Sequence, residues 1–120
     1  MSLSRWIPAA ALAGLTAVAA GTAIAQPAPT WAQIGPIFAA NCTGCHGQGG
    51  RAGLNLSSYA TAVAGSNNGP VLIAGNPADS LLMKRITGEI PPQMPRGGNP
   101  PLSADTIALI AAWITAGLPE

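Results

Sequence analysis

A chain of 120 residues has room for one domain, and a formal net charge of +1 with only 8% charged side chains leaves neither a basic patch for nucleic acid nor an acidic tail. Aromatic residues make up 4% of the chain, so large rings can fill little of a core; beyond the first 25 residues they are Trp31, Phe38, Tyr59 and Trp113. A domain this small is marginal without a disulfide, a metal or a cofactor. The two cysteines sit too close together to staple a fold, so a bulky apolar cofactor is the expected filling.

Residues 1–25 have the layout of a secretory signal peptide: Arg5, an apolar run rich in Ala, Leu and Val, then Ala23-Ile24-Ala25 as a small-x-small cleavage pattern. The run is short against the about 20 residues of a bilayer span, and Pro8 lies within it. Cleavage after Ala25 is expected, giving a periplasmic protein with no membrane span; the alternative is an uncleaved anchor. Residues 26–29 (QPAP) read as a linker and residues 30–120 as the domain. Within the domain Arg51, Lys84, Arg85 and Arg96 balance Asp79, Glu89, Asp105 and Glu120, so docking to a partner is not expected to rely on strong steering.

Thr30 and Gln33 fit a capping box, and Ile34, Ile37 and Phe38 recur at helical spacing, so a first helix is expected to run into Cys42 and stop near Gly44 to Gly47. Pro36 is expected to kink it or to mark a second start. A glycine-rich loop comes next (HGQGGRAG), then an extended Leu54-Asn55-Leu56 and a brief helix from a Ser57 cap through Val63, closed by Gly65. Residues 66–70 (SNNGP) are a turn cluster. Asn76, Pro77 and Asp79 predict the start of a helix reaching about Thr87, with Gly88 behind it. IPPQMPRGGNPP has no helical pattern. The last helix is predicted from a Ser103 cap, with Asp105 in its first turn, Leu102 stapling onto Ile107, and Ile107, Ile110, Ala111 and Ile114 as its apolar stripe, widened by Leu109 and Trp113. Gly117 and Pro119 end it. No stretch reads as a strand, and there is no internal repeat.

The segment Asn41-Cys42-Thr43-Gly44-Cys45-His46-Gly47 gathers both cysteines and the single histidine. Cys-x-x-Cys-His reads as covalent haem c attachment. Two thiols add to the two vinyl groups of one porphyrin edge, the small Thr43 and Gly44 set their separation, and the next residue brings an imidazole under the ring. Cys42 and Cys45 are then the thioether anchors and His46 the proximal ligand of the iron. Structural zinc normally takes four Cys or His ligands, one more than this chain has. A thioredoxin-like dithiol expects a βαβ context, and a plain disulfide is an option in an oxidising compartment.

No second histidine exists, so the other axial position falls to a methionine thioether. Met1 lies in the leader. Met83 lies in the helical run LLMKRI, where core packing is the plain reading. Met94 lies between prolines that stiffen a non-helical loop, which core filling does not explain. Met94 is the expected distal ligand, with Met83 or an open site as the alternatives. Trp113 and Phe38 are expected in the core. Arg51 and Arg96 are either propionate partners or solvated surface charges, and Tyr59 has no assigned role.

Phe38…Cys42-Thr43-Gly44-Cys45-His46-Gly47, Gly75-Asn76-Pro77 with Ser80-Leu81, Met94-Pro95 in a Pro/Gly loop, and Leu102-Ser103…Trp113-Ile114…Gly117 together resemble the small mono-haem c-type cytochromes, class I in fold. The resemblance implies an all-α fold of three to four helices wrapped around a covalently attached haem, with the N- and C-terminal helices crossing. It implies His/Met ligation and one-electron transfer outside the cytoplasm to redox partner proteins (a dehydrogenase, an oxidase or another cytochrome), not enzymatic turnover. The chain departs from many soluble relatives in lacking a lysine patch. The competing readings are a haem enzyme or gas sensor with an open distal site, or a haem subunit of a larger oxidoreductase.

Overall fold

The computed structural model describes Gly14 and residues 27–120; the expected signal peptide, Gly14 apart, and its cleavage point lie outside the described residues. Helix α1 spans Trp31–Asn41. At its start the Gln33 side-chain oxygen accepts the Thr30 N–H at 3.2 Å, and Ile34 N–H donates to the Thr30 carbonyl at 3.1 Å. The helix runs through Pro36 without a break, so the expected second start is not there. A proline at this position removes one donor, that for the Ala32 carbonyl; Ala32 and Pro36 are both exposed, so water can take that place. Ile34 and Phe38, one turn apart, bury the inward face. A Cβ on Gly35 would lie 3.0 Å from the Trp31 ring, so the bare backbone there lets the indole lie along the helix.

Helix α2 spans Tyr59–Ala64, and its cap is Ser58, not Ser57: Ser58 Oγ accepts Thr61 N–H at 3.4 Å. Ser57 is drawn off by Asn55, whose Oδ1 accepts the Ser57 N–H at 3.0 Å in a local turn. Gly65, at φ +89°, closes α2 as expected. Helix α3 spans only Leu81–Ile86, later than the start predicted at Asn76. Asn76 does cap a turn, accepting Asp79 N–H at 3.1 Å, but that turn does not propagate. The fully buried Ser80 explains the delay: its hydroxyl donates to the Asn76 carbonyl at 2.8 Å and accepts Ile73 N–H at 2.9 Å, tying the approach segment into a knot before the helix begins. Helix α4 spans Ala104–Thr115 with Ser103 as its cap, accepting Thr106 N–H at 3.2 Å, and Asp105 in the first turn.

Among the described residues the regular elements are helical, and the sole extended pairing is an isolated bridge between Ser66 and Gly69. The four α-helices among the described residues are compatible with the all-α class.

Helices α1 and α4 pack through aromatic rings. Trp31 lies 5.8 Å from Phe38, 5.9 Å from Tyr59 and 5.9 Å from Trp113, and Phe38 lies 6.2 Å from Trp113. The rings meet tilted or edge-on, each pair adding about 0.5–1.5 kcal/mol to what burial alone provides. After α4 the chain turns at Gly117 (φ +94°) and folds back over these rings. The Leu118 carbonyl accepts the Tyr59 hydroxyl at 2.6 Å. The Pro119 carbonyl accepts both the Trp31 N–H at 3.1 Å and the Trp113 Nε1–H at 2.8 Å. The polar edges of three rings or their backbone are thereby satisfied by two consecutive carbonyls, and the apolar faces stay dry.

Candidate haem-binding site

The site begins where α1 ends. Cys42 caps the helix, its N–H donating to the Phe38 carbonyl at 2.7 Å. The chain then winds tightly, with Cys45 N–H and His46 N–H both donating to the Cys42 carbonyl at 3.1 and 2.8 Å. Cys42 is half-buried, Cys45 is exposed, and both are free thiols. Burial pushes the Cys42 thiol up to about 11, so it keeps its proton at neutral pH.

His46 Nδ1 lies 3.2 Å from the Arg51 carbonyl oxygen. A carbonyl only accepts, so the ring proton sits on Nδ1 and the lone pair is left on Nε2, the arrangement a metal ligand needs. The backbone holds that carbonyl in place. Arg51 N–H donates to the Cys45 carbonyl at 2.9 Å, Leu56 N–H donates to the His46 carbonyl at 2.7 Å, and residues Arg51–Gly53 form a 3₁₀ turn between them. A Cβ on Gly50 would lie 2.7 Å from both the Cys45 and the Gly47 carbonyl oxygens, so this return is closed to any larger residue. Sequence reasoning finds a glycine-rich loop here and misses Arg51 as the partner of His46. No sequence signal marks it, because the contact uses a backbone carbonyl.

His46 opens onto a cleft of about 980 Å³, counting its solvent-filled mouth, with apolar walls from Phe38, Leu54, Leu56, Val71, Leu82 and Ile86. Cys42 lines it, and so does Met94; Met83 is instead buried in the core on α3 and does not line the cleft. Cys45 stands outside the lining. Arg96 is exposed at the cleft, whereas Arg51 is exposed away from it.

The Met94 loop is hung on the end of α3. The last four carbonyls of a helix have no partner within it, and here each is satisfied by residues 87–94. The Met83 carbonyl accepts Thr87 N–H at 3.0 Å, the Lys84 carbonyl accepts Ile90 N–H at 3.1 Å, and the Arg85 carbonyl accepts Met94 N–H at 2.9 Å. The Ile86 carbonyl accepts the Gln93 side-chain amide at 3.2 Å. The Arg85 guanidinium donates to the Pro91 carbonyl as well.

The Cys42 thiol, an imidazole with a lone pair on Nε2 and the Met94 thioether line one apolar cleft, with the Cys45 thiol three residues along the chain outside its lining, and this set fits an iron porphyrin as donors and as container. Among the described residues no three His, Cys, Asp or Glu side chains are grouped to hold a bare metal ion. No helix among the described residues is long and apolar enough to cross a membrane.

The family described as Planctomycete cytochrome C matches residues 42–97, a stretch that opens on Cys42 and takes in His46 and Met94 but leaves out α1 and α4. No curated protein and no solved structure matches the chain. The match supports a cytochrome c-like domain, and such a domain carries a covalently bound haem c with its iron.

Proposed function

We propose that the protein is a periplasmic electron carrier, exported by cleavage after Ala25, whose single haem c is anchored through Cys42 and Cys45 and axially ligated by His46 and Met94. The observation that carries this reading is that His46 and Met94 line one apolar cleft, while the competing Met83 is packed in the core. The chain has no second histidine to serve as an alternative axial ligand.

Haem bound there supplies an iron that accepts and returns one electron. The chain does the rest. Arg51 holds the imidazole through its carbonyl, the cleft walls exclude water, and the Met94 thioether favours the reduced metal and so raises the potential. Neither axial ligand offers a proton for turnover chemistry, which favours transfer of electrons over catalysis. The partners are redox proteins: a dehydrogenase, an oxidase or another cytochrome. With so few charges on the chain, association is expected to change little with ionic strength.

The test is a visible spectrum of the holoprotein made in cells that attach haem c. A low-spin ferric form with a methionine–iron charge-transfer band is expected, and Met94→Ala removes the band while the haem stays covalently attached. Rapid binding of cyanide or carbon monoxide at neutral pH would instead support an open distal site and an enzyme or sensor.

A further inference from the structure

The distal loop has a shortage that one residue outside it makes good. Pro91, Pro92 and Pro95 have no N–H, so between Ile90 and Met94 the backbone offers carbonyls and a single donor, that of Gln93. The two anchors of the loop on α3, Ile90 N–H to Lys84 and Met94 N–H to Arg85, lie at the two ends of this donor-poor span. Its middle is held by side chains: Gln93 reaches the Ile86 carbonyl, and the Arg85 guanidinium donates to the Pro91 carbonyl. Arg85 thus grips the loop twice, with its carbonyl on Met94 and with its side chain three residues earlier. It also lines the cleft beside Met94.

We infer that Arg85 is a positioning residue for the distal ligand, its guanidinium clamping the Pro91 carbonyl so that the Met94 thioether stays in register with the iron. The inference rests on the reading of Met94 as that ligand. A hydrogen bond from a charged donor to a loop with few other ties resists opening of the loop, and opening is what an external ligand needs in order to displace the methionine. Without the clamp the loop-open form is more populated, and external ligands bind more tightly in proportion.

The experiment is imidazole titration of the ferric holoprotein, read from the charge-transfer band, in Arg85→Met and Arg85→Lys. Arg85→Met keeps an apolar stem without donors and is expected to raise the apparent imidazole affinity about tenfold, which corresponds to one charged hydrogen bond. Arg85→Lys keeps a charged donor and restores part of the difference. Tyr59→Phe is the control for general loosening, because it removes a hydrogen bond to Leu118 far along the chain from this loop and is expected to leave the affinity unchanged. Imidazole affinity in Arg85→Met equal to that of the unaltered protein overturns the inference, as does an equal rise in Tyr59→Phe. Loss of the band in Met94→Ala together with an unaffected Arg85→Met rejects the clamp alone; a band that survives in Met94→Ala rejects the ligand reading beneath it.

Discussion

On one side of Phe38 the chain closes the core by itself. Trp31 meets Tyr59 edge-on and Trp113 at a tilt, and the carbonyls of Leu118 and Pro119 accept the Tyr59 hydroxyl and the Trp113 Nε1–H. On the other side Phe38 joins Leu54, Leu56, Val71, Leu82 and Ile86 in the wall of an open cleft. The backbone bonding differs in the same way. The aromatic side joins parts of the chain far apart in sequence, Tyr59 to Leu118 and Trp31 to Pro119, whereas the cleft side is framed by bonds of shorter reach, Leu56 to His46, Leu82 to Val71 and Asn67 to Ala52. Among the described residues the rings gather at one end, and the other end is left to be filled by the cofactor.

The comparison predicts unequal responses. The largest belongs to Cys42→Ala combined with Cys45→Ala. Covalent haem is lost on a denaturing gel, and hydrogen exchange at the amides of Leu56 and Leu82, which bond to His46 and Val71 across the cleft walls, rises steeply while that of the aromatic end is retained. Equal protection at both ends of the colourless protein would break the comparison. Next is Trp113→Ala, which empties a fully buried site and is expected to cost about 3–5 kcal/mol in chemical denaturation of the holoprotein. Below the unfolding transition its haem spectrum is expected to stay native, because the damage lies on the far side of Phe38. Tyr59→Phe is smaller, about 1 kcal/mol for one hydrogen bond to Leu118, measured as a shift in denaturation midpoint at unchanged m-value.

The smallest effect concerns Cys42 before haem attachment. Its thiol is raised from 9.0 to about 11 by burial, so the folded form keeps a proton that the unfolded chain releases. The unfolded chain therefore binds fewer protons between pH 9 and 11, and stability falls as pH rises through that window, with no contribution below it. Because the cleft wall is expected to loosen without haem, alkylation of Cys42 in the haem-free protein is expected to accelerate with a midpoint that falls from about 11 towards 9.0; a midpoint that stays near 11 would say that this wall forms without the cofactor.

The legible part of the fold is local. The start of α1 at Thr30 and Gln33, that of α4 at Ser103 and the stop at Gly65 rest on bonds spanning three or four residues, which a linear pattern records. The start of α3 escapes such a pattern because Ser80 bonds back to Ile73, seven residues away, and that bond wins over the cap signal of Asn76. Pro36 carries less weight than its residue type suggests because the lost hydrogen bond falls on an exposed face. Arg51 is invisible in the sequence as the orienting partner of His46 because the contact uses a carbonyl, which every residue has.

The residue types and their spacing determined the candidate site: the sequence alone gathers two thiols and an imidazole in Cys42, Cys45 and His46, the set on which the proposed haem attachment rests. The tertiary structure decided which methionine shares the cleft with His46. Met83 and Met94 carry the same thioether, and only the folding of α3 turns one into the core and hangs the loop of the other on the freed carbonyls at the helix end. It also decided where the rings go, because gathering Tyr59 and Trp113 around Trp31 requires contacts between distant parts of the chain that no local signal encodes.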